Sequence, residues 1–299
     1  MSDVRHDVER LLGLGLENDA LLSQLELLTK DPEFAAIADV WAADLYRRDP
    51  RYFAPFLARY LTADQAGIIA ALLPRIEADG QDDLFVALYK LAMNENGWNA
   101  DLRALLDGGL SDDALAHAVA LRGNVPPQFA LGEDLAAALY ARVPATFARA
   151  LLAHVLPGRD WEANRDRDYA ALRQVAQARG DDAVYWRLFR TFATADEWKV
   201  EMMRLAQQAI PPERIVAELQ QRRLNDPLRM DPATLVAFLD RYGAALTPFI
   251  DANLDWFGRL DTALLLEAIE RTGDAALFRR VFFRYADNAA WNARVRALI

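Results

Sequence analysis

Cysteine is absent from this 299-residue chain, which excludes disulfides, thiolate nucleophiles and cysteine-ligated metal sites together. Serine is nearly absent: Ser2, Ser23 and Ser111 are the only ones, so covalent catalysis has few possible agents. Histidine is confined to His6, His117 and His154. No apolar run approaches the ~18 residues of a membrane span; Gly67 to Leu73 is typical of the longest. The opening Met-Ser-Asp-Val-Arg-His-Asp has no apolar core and does not read as a signal peptide. GxGxxG, P-loop, HExxH and GxSxG motifs are all missing, and Asp107-Gly108-Gly109 lacks EF-hand spacing. The expectation is a cytoplasmic protein, outside the membrane, with no cofactor, no metal and no enzymatic activity.

What is present is a globular balance, 53% hydrophobic and 26% charged, rich in Leu and Ala and therefore inclined to helix. The net charge of −10 is uneven: residues 1–150 hold 23 acidic and 13 basic side chains, whereas residues 151–299 hold 21 of each. Such a chain repels nucleic-acid phosphates and anionic lipid unless a basic face is segregated. The imbalance reads first as a solvated acidic face and second as a basis for head-to-tail self-association.

The strongest pattern is internal repetition. Trp98-Asn99-Ala100-Asp101-Leu102-Arg103-Ala104-Leu105-Leu106 returns as Trp291-Asn292-Ala293-Arg294-Val295-Arg296-Ala297-Leu298-Ile299, with a looser copy from Trp198. Val4 to Leu12 aligns with Trp98 to Leu106 at an offset of 94, and the register carries Pro32 onto Pro126 and Phe53 onto Phe147. The first and third copies match at an offset of 193, pairing Arg48 with Arg241, Gly80 with Gly273 and Leu84-Phe85 with Leu277-Phe278. Anchored on the Trp position, the periods are 94, 100 and 93. Three tandem units follow, at about 4–97, 98–197 and 198–290, with a closing helix at 291–299.

Within a unit the period is helical. Phe53, Phe56, Leu57, Tyr60 and Leu61 form one stripe. The aromatic pair Phe85/Tyr89 recurs as Tyr185/Phe189 and Phe278/Phe282. Gly80, Gly180 and Gly273 sit where a left-handed helix cap is needed, and Asp31-Pro32, Asp49-Pro50 and Asp231-Pro232 read as helix starts. Asn94, Thr194 and Asp287 precede the three Trp helices as N-caps, with Thr194 and Glu197 at capping-box spacing. The first unit then holds helices near 4–13, 17–29, 33–48, 50–62, 65–78 and 81–93. The predicted fold is all-α: a right-handed α–α superhelix of three six-helix units in a single domain, 1–299. In size and construction it resembles HEAT- and TPR-like solenoids, although it carries no TPR or ankyrin consensus.

Candidate sites are weighed against packing. A Trp at one place in every unit reads as core filling, and its replacement by Val4 in the first copy agrees, since an end helix has one neighbour fewer. Arg48, Arg142 and Arg241 recur at the end of the third helix; they serve either the helix C-terminus or a row of guanidinium groups facing an acidic partner. His154 takes the stripe position held by Tyr60 and Asn253, as a hydrogen-bonded polar group at the core edge. His6 and Glu9 are two metal ligands without a third. The pairs Asp82-Asp83, Asp112-Asp113 and Asp181-Asp182 fall at helix starts.

The middle copy alone carries six extra residues, within Pro157 to Asp168. This insertion places Arg159, Trp161, Arg165 and Arg167 on a loop, and it is the first choice for a binding site. The expected function is a non-catalytic interaction scaffold for a protein or peptide partner. Nucleic-acid or nucleotide binding through an Arg-lined concave face is the second reading, and an α/α-toroid enzyme with paired carboxylates the third.

Overall fold

The computed structural model describes residues 3–156, 169–222, 232–251, 262–285 and Ala293, and every regular element among them is helical. The chain divides into two compact units, Met1–Val175 and Ala176–Ile299, a division that falls inside the second sequence copy.

The first unit runs α1 (Val4–Gly13), α2 (Asn18–Leu28), α3 (Ala38–Arg48), α4 (Pro50–Tyr60), α5 (Ala66–Ala78), α6 (Asp82–Ala92), α7 (Glu95–Asp107), α8 (Asp112–Arg122), α9 (Glu133–Arg142) and α10 (Pro144–Ala150), reaching the start of α11 (Ala170–Ala178). Helices here pack on the next helix and on the next but one: α1 on α2 and α3, α3 on α4 and α5, α4 on α6, α6 on α8, α7 on α8 and α9, and α8 on α10. Odd-numbered helices therefore line one layer and even-numbered helices the other. In the second unit α12 (Asp182–Phe192) packs on α14 (Pro212–Arg222), α13 (Ala195–Gln207) on α15 (Pro232–Tyr242) and α14 on α16 (Thr247–Asp251). There α15 also meets helix Thr262–Thr272, which packs on helix Ala275–Tyr285.

Local chemistry sets these boundaries. Pro50 opens α4 behind Asp49, whose carboxylate accepts from the Tyr52 amide at 3.0 Å and so satisfies a donor that the first turn leaves over. Asn94 does the same for Gly97 at 2.8 Å. At α13, Thr194 and Glu197 cap each other reciprocally, at 3.2 and 2.8 Å. Gly80, Gly180 and Gly273 take φ of +65°, +69° and +77°, the left-handed turn that a Cβ would strain. Asp31-Pro32 departs from expectation. Its carboxylate accepts from the Glu33 amide at 2.9 Å and its carbonyl from Phe34 at 3.1 Å. The pair thus forms an Asx-type turn, and a 3₁₀ turn at Ala35–Ile37 precedes α3.

The repeated apolar positions form the core. Val4, Phe53, Phe56, Leu57 and Trp98 are buried, as is Trp198; Trp291 lies outside the described residues. The aromatic pairs one turn apart are in contact in each copy: Phe85 and Tyr89 stack at 5.1 Å, Phe278 and Phe282 at 5.6 Å, and Tyr185 and Phe189 meet tilted at 5.8 Å. Trp41 stacks on Phe34 at 5.2 Å and donates its indole N–H to the Phe34 carbonyl at 3.2 Å. This fixes the connection between α2 and α3 to the helix it introduces.

One helix ends earlier than its counterpart α4 and another starts later. α10 stops at Ala150 and gives way to a 3₁₀ turn, Leu152–His154. Here the backbone is drawn onto α8's end: a Cβ on Gly123 would stand 2.7 Å from the Ala150 Cβ and 2.9 Å from its carbonyl oxygen. In α16 the Asp-Pro start is replaced by Tyr242-Gly243, and Gly243 at φ +51° leads into a 3₁₀ turn instead.

Tyr46 on α3 donates to Asp79 at 3.0 Å. Burial, and then the Asp79 carboxylate, raise its pKa from 10.0 to about 12. A folded-state pKa above the unfolded one gives stability that is complete below pH 10 and lost as pH rises towards about 12. Urea midpoints measured across that window should fall for the wild type and fall less steeply for Tyr46→Phe. Parallel slopes would show that Tyr46 is not the group responsible.

Candidate functional site

The most elaborate polar cluster is built on Arg122, the last residue of α8 and only 5% exposed. Its Nη1 and Nη2 donate to the two oxygens of Glu77 on α5, at 2.7 and 2.9 Å. Nε donates to Asp101 on α7 at 2.6 Å, and Nη1 also reaches the Ala118 carbonyl at 3.3 Å. The guanidinium lies over the rings of Phe85 and Tyr89 on α6, at 4.9 and 5.6 Å from their centres. Tyr89 completes the cluster by donating to Asp101 at 2.7 Å. One side chain thereby joins four helices, with acids at the edge of its plane and aromatics on its face.

The same device recurs in the second unit, 100 residues on. Arg222 ends α14 and is 4% exposed. It donates from Nε to Glu201 at 2.9 Å, and from Nη1 to the Glu218 side chain and carbonyl, each at 2.8 Å. Its guanidinium stands 4.4 Å from the centre of the Trp186 ring. Glu201 is held as well by Arg204, through two bonds of 2.7 Å.

Electrostatically the Arg122 cluster is closed. Burial alone would lower the Arg122 pKa, but Glu77 and Asp101 more than offset it and hold the guanidinium charge firmly. Burial, then the Asp101 charge, push the Tyr89 phenol well above its ordinary range, so its proton stays in place. Groups locked in one protonation state suit holding helices rather than moving protons. Among the described residues, no group of three or more His, Asp and Glu could hold a metal ion.

The repeated arginines occupy one structural role. Arg48 donates to the Leu16 carbonyl and, at 2.8 Å, to Asn18. Arg142 donates to the Leu110 carbonyl at 2.7 Å and to Asp112 at 2.6 Å. Arg241 donates to the Ala206 carbonyl. Arg48 and Arg142 thus tie the end of a unit's third helix to the turn between its first two, and Arg241 ties it to the last turn of α13. His154 is buried, with Nδ1 3.0 Å from the Phe129 carbonyl and Nε2 3.3 Å from that of Gly123. Its ring lies 4.9 Å from that of Trp98, whose indole N–H donates to the Arg122 carbonyl at 2.9 Å. Arg159, Trp161, Arg165 and Arg167 lie outside the described residues.

Two open grooves mark the first unit. One, of about 650 Å³, is lined by Pro32, Ala36, Asp39, Asp64, Gln65 and Ile68 among others. The other, of about 490 Å³, is lined by Glu95, Asn96, Asn99, Ala130, Glu133 and Asp134 among others. They share repeat positions: Ala36 with Ala130, and Asp39 with Glu133, each at the offset of 94. Their acids stand in first helical turns, where they complement the helix dipole. Asp39 is engaged by Arg5 at 2.9 Å, and Glu95 accepts from the Ala130 amide at 3.1 Å.

No family model, curated protein or solved structure matches the chain.

Arg122, Asp101 and Glu77 were not singled out from the sequence. A signal was there: Asp101/Glu201 and Arg122/Arg222 repeat at the 100-residue period of the Trp helices. The first copy hides it, because Leu28 stands where the later copies have arginine.

Proposed function

We propose that this protein is a non-catalytic interaction scaffold of the cytoplasm, a right-handed α–α superhelix of three tandem six-helix units that offers an extended surface to a protein or peptide partner. The observation that supports it most is a packing pattern seen in both compact units, most helices lying against the next but one. Repetition of that pattern produces a solenoid with two long faces rather than one enclosed pocket. Helix bounds support the unit length: α2, α8 and α14 begin at 18, 112 and 212, and α6, α12 and the helix Ala275–Tyr285 at 82, 182 and 275.

The chemistry of the interior favours the same reading. Arg122 and Arg222 are enclosed by carboxylates and aromatics, and the grooves are open and acid-lined, a surface that disfavours phosphate-bearing ligands. The partner site we assign first is the insertion loop with Arg159, Trp161, Arg165 and Arg167, the one segment the repeat does not require.

The test is affinity capture from the source cells, with the wild type and with residues 159–168 replaced by a Gly-Ser linker. A partner enriched by the wild type and reduced at least about tenfold by the replacement, with unchanged melting, is the expected result. Equal capture by both chains would overturn the loop assignment, and no enrichment over an unrelated acidic protein would overturn the scaffold reading.

A further inference from the structure

The stretch Phe129 to Gly132, which leads into α9, is gripped from two sides. Towards α7, the Ala130 amide donates to Glu95 at 3.1 Å and its carbonyl accepts from Asn99 at 3.0 Å, while the Gly132 amide donates to Asn99 at 2.8 Å. The residues between them face other partners. The Leu131 amide donates to the His154 carbonyl at 3.1 Å, and the Leu131 carbonyl accepts the Tyr169 hydroxyl at 2.6 Å. The Phe129 carbonyl stands 3.0 Å from His154 Nδ1. Successive residues thus turn their backbone groups to opposite sides, as those of an extended chain do.

Both partners of Leu131 flank the insertion. His154 stands three residues before Pro157, and Tyr169 directly follows Asp168. Tyr169 is fully buried, and at φ +48° it is the one non-glycine residue in the left-handed region among the described residues. A bulky side chain takes that backbone only where surrounding contacts impose it. The buried ring and the hydroxyl bond to Leu131 are such contacts, and the Tyr169 carbonyl then accepts from the Arg173 amide at 3.0 Å as α11 begins. The two halves differ in kind. His154 is backed by its ring contacts to Phe129 and Gly123 and by the Trp98 ring, whereas the Tyr169 half works against its own backbone.

We propose that Leu131 clasps both ends of the insertion, and that Tyr169 is the releasable half of the clasp, a strained catch that sets how residues 157–168 are presented to a partner. Tyr169 is then a positioning residue, acting through the backbone that follows the insertion. This rests on the assignment of the insertion as the partner site.

Tyr169→Phe in the full chain tests it, because phenylalanine keeps the ring in the core and removes only the hydroxyl. Two readouts are taken: amide hydrogen exchange by NMR, and trypsin cleavage after Arg159, Arg165 and Arg167. The Leu131 amide should exchange about fivefold faster or more, the worth of one buried hydrogen bond. Cleavage within the insertion should quicken by a similar factor, with helical circular dichroism retained. Tyr46→Phe removes a hydroxyl from α3 instead, and should leave both readouts within about twofold of the wild type. Unchanged Leu131 exchange in Tyr169→Phe would overturn the clasp, as would an equal change in Tyr46→Phe. Faster exchange with unchanged cleavage would overturn its hold on the insertion. If these results appear but replacing 159–168 leaves partner capture intact, the insertion loses its role as partner site and the clasp stands. The reverse pattern removes the clasp and keeps the partner site.

Discussion

Arg122→Ala is expected to lower the unfolding free energy by about 3–5 kcal/mol, the range for removing one member of a buried ion pair. The loss comes less from the missing attraction than from what remains: Glu77 and Asp101 would face each other across the vacated space with no cation between them. Their side chains are about one third exposed, at 32% and 31%, so water relieves part of the penalty and the lower end of the range is expected. Loss of the contact with Phe85 and Tyr89 adds to it. Arg222→Ala should cost less, because Arg204 still neutralises Glu201 through its two 2.7 Å bonds. Urea denaturation of both variants at low and high salt checks this. A loss below about 1 kcal/mol for Arg122→Ala, or one that high salt abolishes, would place the cluster among exposed pairs of little consequence.

This contrast shows what a single sequence conveys. Helices were legible because their signals are local: the stripe of Phe53, Phe56 and Leu57, the Asp49-Pro50 start and the glycine after α5 each lie within a few residues. Asp31-Pro32 carries the same local signal as Asp49-Pro50 yet forms a turn ahead of α3. The 3₁₀ entry to α3 and the early end of α10 are set by tertiary contacts, Phe34 against Trp41 and Ala150 against Gly123, that no local window contains.

The candidate site was legible in part. Periodicity pointed to Trp98, Arg48, Arg142 and Arg241, and the structure gives each a defined contact within the fold. It did not point to Arg122, because an arginine closing a helix looks like any C-terminal cation. What separates it is Glu77, 45 residues away on another helix. The pairing follows from α6 packing on α8 rather than from either segment alone.

Trp98→Ala is the second large effect, with an expected loss of about 3–5 kcal/mol. The side chain is fully buried, its ring lies against His154 at 4.9 Å and Phe129 at 6.1 Å, and its N–H is bonded to the Arg122 carbonyl. Alanine leaves a cavity and an unanswered carbonyl together, whereas Trp98→Phe removes chiefly the hydrogen bond and should lose about 1–2 kcal/mol less than alanine does. Because Trp98 holds the backbone of the residue whose side chain gathers Glu77 and Asp101, the two sites are coupled. The double variant Trp98→Phe, Arg122→Ala should therefore be less unstable than the sum of its parts. The scarcity of histidine supplies a direct probe: with three imidazoles in the chain, the His154 ring resonances can be followed singly by NMR. They should shift as the indole above them is removed, while those of His6 and His117 stay put. An unchanged melting curve with an unmoved His154 signal would mean that this tryptophan packs nothing.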